Sequence, residues 1–398
     1  MTIQSKDKQA IQTTLDFIDR LHSSGCPPHS VVKYTYRYAH ARMQKVALDI
    51  TPTKVMAVFE EPEHVTVLQK KPLPVINLRM LVETISALKQ SRQAIQQHPY
   101  SLWLQCLAFI LIPPSYLCLV GSTLPAVGIS AILGLLVWVV CRVFTDERAI
   151  IVEFVAAFLV AFIVGLLSSL DPGLPVYALC ISAIVLFVPG LTVTNALESL
   201  AHNDFGSGIE LLAQSLLIIL KLFIGIVLGI SLANTVLPHP SETHYINEVP
   251  LLLHVFGLVG ISAALGVVFN ARWVDIVFAF PAAIVGMWGP LYITNDWVIG
   301  TWISTMIITC YGLVMGKVRQ VPPLVYIMQG IIILVPGSRI LVGASESFFS
   351  QAILPIPNIG LSAVLMFCAI VAGQIISYSL YITLFKKKST DSSSYWIQ

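Results

Sequence analysis

Val185-Leu186-Phe187-Val188-Pro189-Gly190-Leu191-Thr192-Val193-Thr194-Asn195 is an apolar run that stops at Val-Pro-Gly and restarts on hydroxyl and amide side chains. The same tripeptide returns at Val335-Pro336-Gly337, followed by Ser338-Arg339. Proline removes a backbone donor and glycine opens unusual dihedrals, so each tripeptide is a chemically sensible helix break. In hydrocarbon, the backbone groups freed by a break must find partners or line a polar cavity. Broken helices of this kind recur in transporters built from inverted repeats.

The chain around the two breaks has the composition of a membrane protein. Of its 398 residues 56% are apolar and 11% charged, and the mean hydropathy is +0.81. A soluble domain of that composition could not cover its own core with polar surface. Runs of bilayer-crossing length fall near 101–120, 123–144, 149–168, 174–190, 209–236, 249–269, 273–289, 296–316, 322–337 and 352–385. Pro189 and Pro336 are 147 residues apart (336 less 189), and the same offset pairs Phe109 with Phe256, Gly165 with Gly312, Pro175 with Pro322 and Ile184 with Ile331. Each run in 101–236 thereby lands on a run in 248–383, which is an internal repeat.

Five spans per half is an odd number, so the second half is expected to enter the membrane inverted. The placement of basic residues agrees. With the N-terminus in the cytosol, the inner loops and tail hold Arg142, Arg148, Arg272, Lys317, Arg319 and Lys386-Lys387-Lys388, against Arg339 outside and Lys221 within a span. The reading is a mainly α, polytopic helical protein of ten transmembrane helices in a 5+5 inverted repeat. Its membrane halves are 101–236 and 249–385, and 386–398 is a disordered cytoplasmic tail. Both termini are expected at the cytoplasmic side of an inner membrane.

Residues 1–100 differ in kind. They carry 13 of the 23 Lys+Arg and 8 of the 21 Asp+Glu. Helical spacing runs over about 5–24 and 28–48, broken at Gly25-Cys26-Pro27-Pro28. A hairpin pairs Lys54–Phe59 with His64–Leu68 around Glu60-Glu61-Pro62-Glu63, and Asn77 caps a helix ending near Gln96. This predicts a small cytoplasmic α+β domain. Its positive excess suits the anionic inner leaflet better than nucleic acid, because the Lys and Arg are scattered. The start, MTIQSKDKQAIQTTLDFIDR, has no apolar core of a signal peptide. Seven singly spaced cysteines predict neither disulfides nor structural zinc, and read as small buried hydrophobes.

If each break restarts a half-helix, the new N-terminus offers N–H groups and a positive dipole end to a substrate carboxylate. The candidate binding residues are therefore Pro189, Gly190, Thr192, Thr194 and Asn195, with Pro336, Gly337, Ser338 and Arg339 from the second break. Lys221 stands in the middle of its run, where an ammonium costs at least about 2.5 kcal/mol unless paired. It is a candidate for charge balance or proton coupling. Glu153, Glu210 and Asp275, near the inner ends of spans, are further coupling candidates. Each also has a plain reading as a helix-end charge, and Asp275 has Arg272 three residues away. Asp296 lies near an outer end, and His254 reads as a core or interface residue.

No HExxH, GxSxG, GxxxxGK[ST] or complete GxGxxG occurs, so no enzyme, metal or cofactor is expected. Gly343-Ala344-Ser345-Glu346-Ser347 lacks the second glycine of a nucleophile elbow. Without a nucleotide motif, active transport would draw on an ion gradient.

Three segments resemble the threonine/serine exporters. They are the head from Ser24-Gly25-Cys26-Pro27-Pro28 to Asn77-Leu78-Arg79, the run Val188–Leu197 with Asp204-Phe205-Gly206-Ser207-Gly208, and Pro322 through Val335-Pro336-Gly337. Where many members carry an acidic residue after the first break of the head, this chain has Val31-Val32-Lys33-Tyr34. The resemblance implies proton-driven export of L-threonine and L-serine, with the small amino acid, protons and the bilayer as partners. It also leaves a dicarboxylate such as succinate open as substrate, since split-gene relatives are linked to dicarboxylate export. A channel and a membrane scaffold or sensor are the readings from other classes, and homo-oligomerisation stays open.

Overall fold

The computed structural model describes residues 5–60, 64–90, 99–237, 251–335 and 359–385. The N-terminal part folds as α1 (Ser5–Ser23), α2 (Pro28–His40), β1 (Val46–Thr51), β2 (Lys54–Phe59), β3 (Val65–Lys70) and α3 (Leu78–Gln90). The strands form one antiparallel sheet in the order β1-β2-β3, with Thr51 opposite Lys54 and Phe59 opposite Val65. Alternation along β2 turns Val55, Ala57 and Phe59 inward, where they meet Ile18, Leu21, Val31 and Leu81 from the three helices. Asn77 caps α3, its Oδ1 accepting from the Met80 N–H at 3.0 Å.

Helical spacing overran here. The helix expected to reach residue 48 stops at His40, and 46–51 is a third strand. Met43 takes a left-handed φ of 54° that ends the helix, and Val46, Leu48 and Ile50 then alternate toward the core.

Beyond Tyr100 the described residues form helices: α4 (Leu102–Val120), α5 (Leu124–Val143), α6 (Val152–Leu170), α7 (Val176–Ile184), α8 (Gly190–Ala201), α9 (Phe205–Val236), α10 (Leu251–Val268), α11 (Trp273–Tyr292), α12 (Trp297–Arg319), α13 (Leu324–Leu334) and α14 (Ile359–Phe385). Seven of these, α4, α5, α6, α9, α11, α12 and α14, are long and apolar enough to cross a bilayer. The pair α7–α8, bent by 53°, passes the same test as one broken span. Helices α10 and α13 are apolar but shorter. The chain is a polytopic helical membrane protein.

Close backbone crossings set the packing. Helix α9 crosses α6 at Gly225, where a Cβ would stand 2.8 Å from both the Phe154 carbonyl oxygen and the Ala157 Cβ. Helix α14 crosses α12 at Gly373, where it would stand 2.9 Å from the Trp302 carbonyl oxygen and the Thr305 Cβ. Each residue of the second crossing is 148 beyond its counterpart in the first (373 less 225, 302 less 154, 305 less 157), one more than the offset between the Val-Pro-Gly breaks. Exposed Leu, Ile and Val crowd the outer faces of these helices, as expected of surfaces meeting lipid. Cys310 and Cys368 share that exposure, contrary to the expectation that every cysteine is buried.

The N-terminal part sits on one end of the bundle. The Leu78 and Arg79 N–H groups donate to the carbonyls of Phe269 and Asn270, in the turn between α10 and α11. Asn270 Nδ2 donates to Asn77 Oδ1 at 3.1 Å, and the Ser207 hydroxyl at the start of α9 donates to the Ile50 carbonyl at 3.2 Å. Leu78 and Val82 share an apolar cluster with Ile276, Val321 and Tyr326. Head and body are one packed unit along this seam.

Candidate functional site

The first break is built as its sequence dictates. A residue before proline is pushed out of the helical region. Val188 accordingly has φ −64° and ψ 117°, after a 3₁₀ turn over Val185–Phe187. Val335, before the second proline, has nearly the same values, φ −65° and ψ 129°. Helix α8 then restarts at Gly190, with Pro189 as its cap and the Val193 N–H returning to the Pro189 carbonyl.

The first break meets the end of α13. A Cβ on Gly190 would lie 2.4 Å from Val335 Cγ1, so only glycine admits this approach. Leu191 and Val335 belong to one apolar cluster with Ala282, Ile308, Ile327, Ile331, Ile370 and Tyr378, which gathers α8, α11, α12, α13 and α14 at this point. Pro336, Gly337, Ser338 and Arg339 lie outside the described residues.

Buried polar groups line the same helices. Thr301, Thr305 and Thr309 recur at every fourth position of α12 and are fully buried, and Gln374 and Ser377 are buried on α14. Thr305 and Ser377 donate to carbonyls, but Thr301 Oγ1, Thr309 Oγ1 and Gln374 Oε1 have no hydrogen-bond partner among the described residues. An unsatisfied buried group costs about 1–3 kcal/mol, so such atoms ask for a ligand or water. Of the residues expected at the break, Thr194 is fully buried and donates back to the Gly190 carbonyl at 3.1 Å. Thr192 and Asn195 are half-buried on the same helix.

The expected charged residues scatter. Helices α6 and α9 run parallel, Gly225 over Phe154 and Gly229 over Phe158. Lys221 is therefore level with the first turn of α6, not in mid-membrane as its place within α9 predicts. Its Nζ donates to the Ile150 carbonyl at 2.7 Å and stands 3.5 Å from Glu153 Oε2. Helix α9 is 32 residues long, about 48 Å, and so outruns a hydrocarbon core of about 30 Å. Glu210 is half-buried near the start of α9. Asp296 caps α12, accepting from the Val298 and Ile299 N–H groups.

Asp275 is 1% exposed and fully engaged. Arg272 Nε and Nη2 donate to its two oxygens, and the buried Tyr326 hydroxyl donates to Oδ1 at 3.0 Å. The Tyr326 bond ties α13 to α11, and Arg319 at the end of α12 lies over the Phe278 ring of α11 at 4.5 Å. The helix-end pair with Arg272 read from the sequence is present, and it is part of a larger knot.

Sequence reasoning missed Glu198. It sits eight residues past Gly190, in a segment that hydropathy left between two runs, and it is 5% exposed. Its Oε1 stands 3.6 Å from Nε2 of His29, which the N-terminal part contributes from α2. The His29 ring lies 5.3 Å from that of His202, and its Nε2 also meets Ser30 Oγ at 3.0 Å. Burial, then His202 and Lys33, pull His29 down to about 4, so its imidazole is neutral at cytosolic pH. Burial also pushes the Tyr34 phenol up to about 12 and raises the Cys26 thiol. A separate cavity of about 260 Å³ opens along the seam between Asn77, Tyr100, Phe109 and Asn270. None of the expected site residues lines it.

A family model described as "Putative threonine/serine exporter" matches residues 19–233, more than half of the chain, including the head from the end of α1 onward, the first break and most of α9. Comparison with curated proteins and with solved structures returned no match.

Proposed function

Because the chain belongs to the threonine/serine exporter family, we propose that it exports small neutral amino acids, L-threonine and L-serine, driven by the proton gradient. In this reading the body is two five-span halves of opposite orientation, 101–236 and 249–385, each with one broken helix. The repeated glycine crossing, Gly225 on α6 and Gly373 on α12, supports such a repeat. The head would face the cytosol, since it sits at the bundle end that also carries Arg272 and the Lys317–Arg319 end of α12.

The observation that carries the proposal is the packing of Gly190 against Val335. It brings the first break against the end of α13, in a cluster that α12 and α14 also join through Ile308 and Ile370, and those two helices carry the unpaired oxygens. The first turn of α8 would receive the substrate carboxylate. Oxygens such as Gln374 Oε1 would accept from its ammonium, and the threonine hydroxyls of α12 would bond its side-chain hydroxyl. A dicarboxylate needs two cations, and Lys221 is engaged with Ile150 and Glu153.

Efflux of radiolabelled threonine, serine and succinate from loaded vesicles, with and without an uncoupler, tests this. Saturable, uncoupler-sensitive loss of threonine and serine is expected, with succinate retained. Gly190→Val, which would drive a side chain into Val335, should cut efflux at least tenfold without preventing membrane insertion. Preferential loss of succinate, or loss without saturation and without response to the uncoupler, would overturn the proposal.

A further inference from the structure

Gly190, Thr194 and Glu198 recur at every fourth position of α8 and are all buried, so they form one lane along a single helix face. The lane begins where the first break touches the end of α13 and ends about 12 Å further on, at the junction with the head. Tyr378 of α14 lies beside it. Its ring packs in the cluster that holds Leu191 and Val335. One lane thus joins the broken helix to the N-terminal part.

Glu198 closes this lane in an unusual electrostatic setting. Among the described residues no lysine or arginine is paired with it, and its ion-pair contact is with His29 at 3.6 Å. A buried carboxylate without a cation is least costly in its protonated form, and becomes an anion only when a proton acceptor or a cation comes within reach. His29 is that acceptor. It comes from a different part of the chain, its side chain is 23% exposed, and its Nε2 reaches both Glu198 and, at 3.0 Å, the Ser30 hydroxyl, whereas its Nδ1 is buried. The groups facing the pair are Ser30 and Lys33 of α2, Tyr34 and Cys26 of the head, His202 at the end of α8 and Tyr378 of α14. Of these, Lys33 and His202 disfavour a charged His29.

We propose that Glu198 holds the proton exchanged for substrate, and that His29 of the N-terminal part passes this proton to cytosolic water. The inference rests on the proton-coupled reading above and adds to it the residues that carry the coupling. In the transfer, the O–H bond at Glu198 Oε1 breaks and an N–H bond forms at His29 Nε2, leaving a carboxylate beside an imidazolium. The imidazolium, crowded by Lys33 and His202, gives its Nε2 proton to the hydroxyl of half-buried Ser30 at 3.0 Å, which releases its own proton to water, and the ring returns to its neutral form. A relay that holds its proton weakly releases it at cytosolic pH and does not trap it. The empty carboxylate is then ready to be protonated from the other side when the broken helices rearrange. On this account the head is a working part of the transporter.

The test uses the full-length protein in vesicles and two modes of transport. Net efflux down a proton gradient requires the coupling proton to leave Glu198, whereas exchange of internal labelled threonine for external unlabelled threonine does not. Glu198→Gln is expected to lower net efflux at least tenfold while exchange stays within about twofold of the wild-type rate. His29→Gln should slow net efflux severalfold, leave exchange intact and flatten its dependence on internal pH. A Glu198→Gln protein with wild-type, uncoupler-sensitive net efflux would overturn the proposal, as would equal loss of both modes. Should Glu198→Gln fail to insert, His29→Gln decides alone, and an unchanged pH profile sinks the relay. Failure of the wild type itself to respond to the uncoupler would instead refute the proton-coupled reading.

Discussion

Asp275 and Glu198 are both carboxylates withdrawn from water in the body of the same chain, 1% and 5% exposed, yet their surroundings are opposite. Asp275 is held by two guanidinium N–H groups and a tyrosine hydroxyl, so its charge is compensated on the spot. Glu198 has a neutral imidazole at 3.6 Å and, among the described residues, no paired lysine or arginine. Burial alone therefore says little about a carboxylate. What decides its role is whether the neighbours favour the charged form: Asp275 is a clasp between helices, and Glu198 is a group whose charge can change.

The largest effect should come from breaking the clasp. Asp275→Ala leaves Arg272 and Tyr326 without their acceptor, and is expected to cost about 3 kcal/mol, the lower part of the range for a broken buried pair because Arg272 reaches water. Glu198→Gln should change stability by less than about 0.5 kcal/mol, since it removes no satisfied hydrogen bond. Thermal unfolding of the two purified variants side by side makes the comparison, and equal destabilisation would erase the distinction.

A smaller change sharpens it. Tyr326→Phe removes one hydrogen bond to a charged group and should cost about 1.5 kcal/mol in the same assay.

The smallest effect concerns the imidazoles. Burial lowers both His22 and His29 from the ordinary value near 6.5, so the folded state binds fewer protons than the unfolded chain. Their contribution is whole well above pH 6.5 and is lost as the pH falls from there, for His29 down to about 4. Limited proteolysis of the full-length protein at pH 7.5, 6 and 5 should show the head growing more accessible, by on the order of 1–2 kcal/mol for His29 at the lowest pH. His29→Gln should blunt that response. A head equally protected at all three pH values would mean that neither imidazole is held neutral by the fold.

The sequence already carried the breaks, because proline and glycine act on their own backbone and on the residue before. Val188 and Val335 adopt the same extended conformation for that reason. It also carried the Asn77 cap and the β2–β3 pairing, which depend on neighbours close in the chain. It misplaced Lys221, because hydropathy counts position along a helix and not the level of the helices beside it. It overlooked Glu198, because a carboxylate between two apolar runs looks like a loop residue until α8 is seen to continue the broken span.

Composition, run lengths and the first Val-Pro-Gly by themselves determined that this chain is a helical membrane protein with an interrupted span. These are properties of short stretches, governed by the hydrophobic effect and by local backbone sterics. Packing decided that Gly190 meets Val335, that Asp275 is tied down and that Glu198 meets His29. The last pair is 169 residues apart (198 less 29), and no local rule fixes which surfaces close over one another.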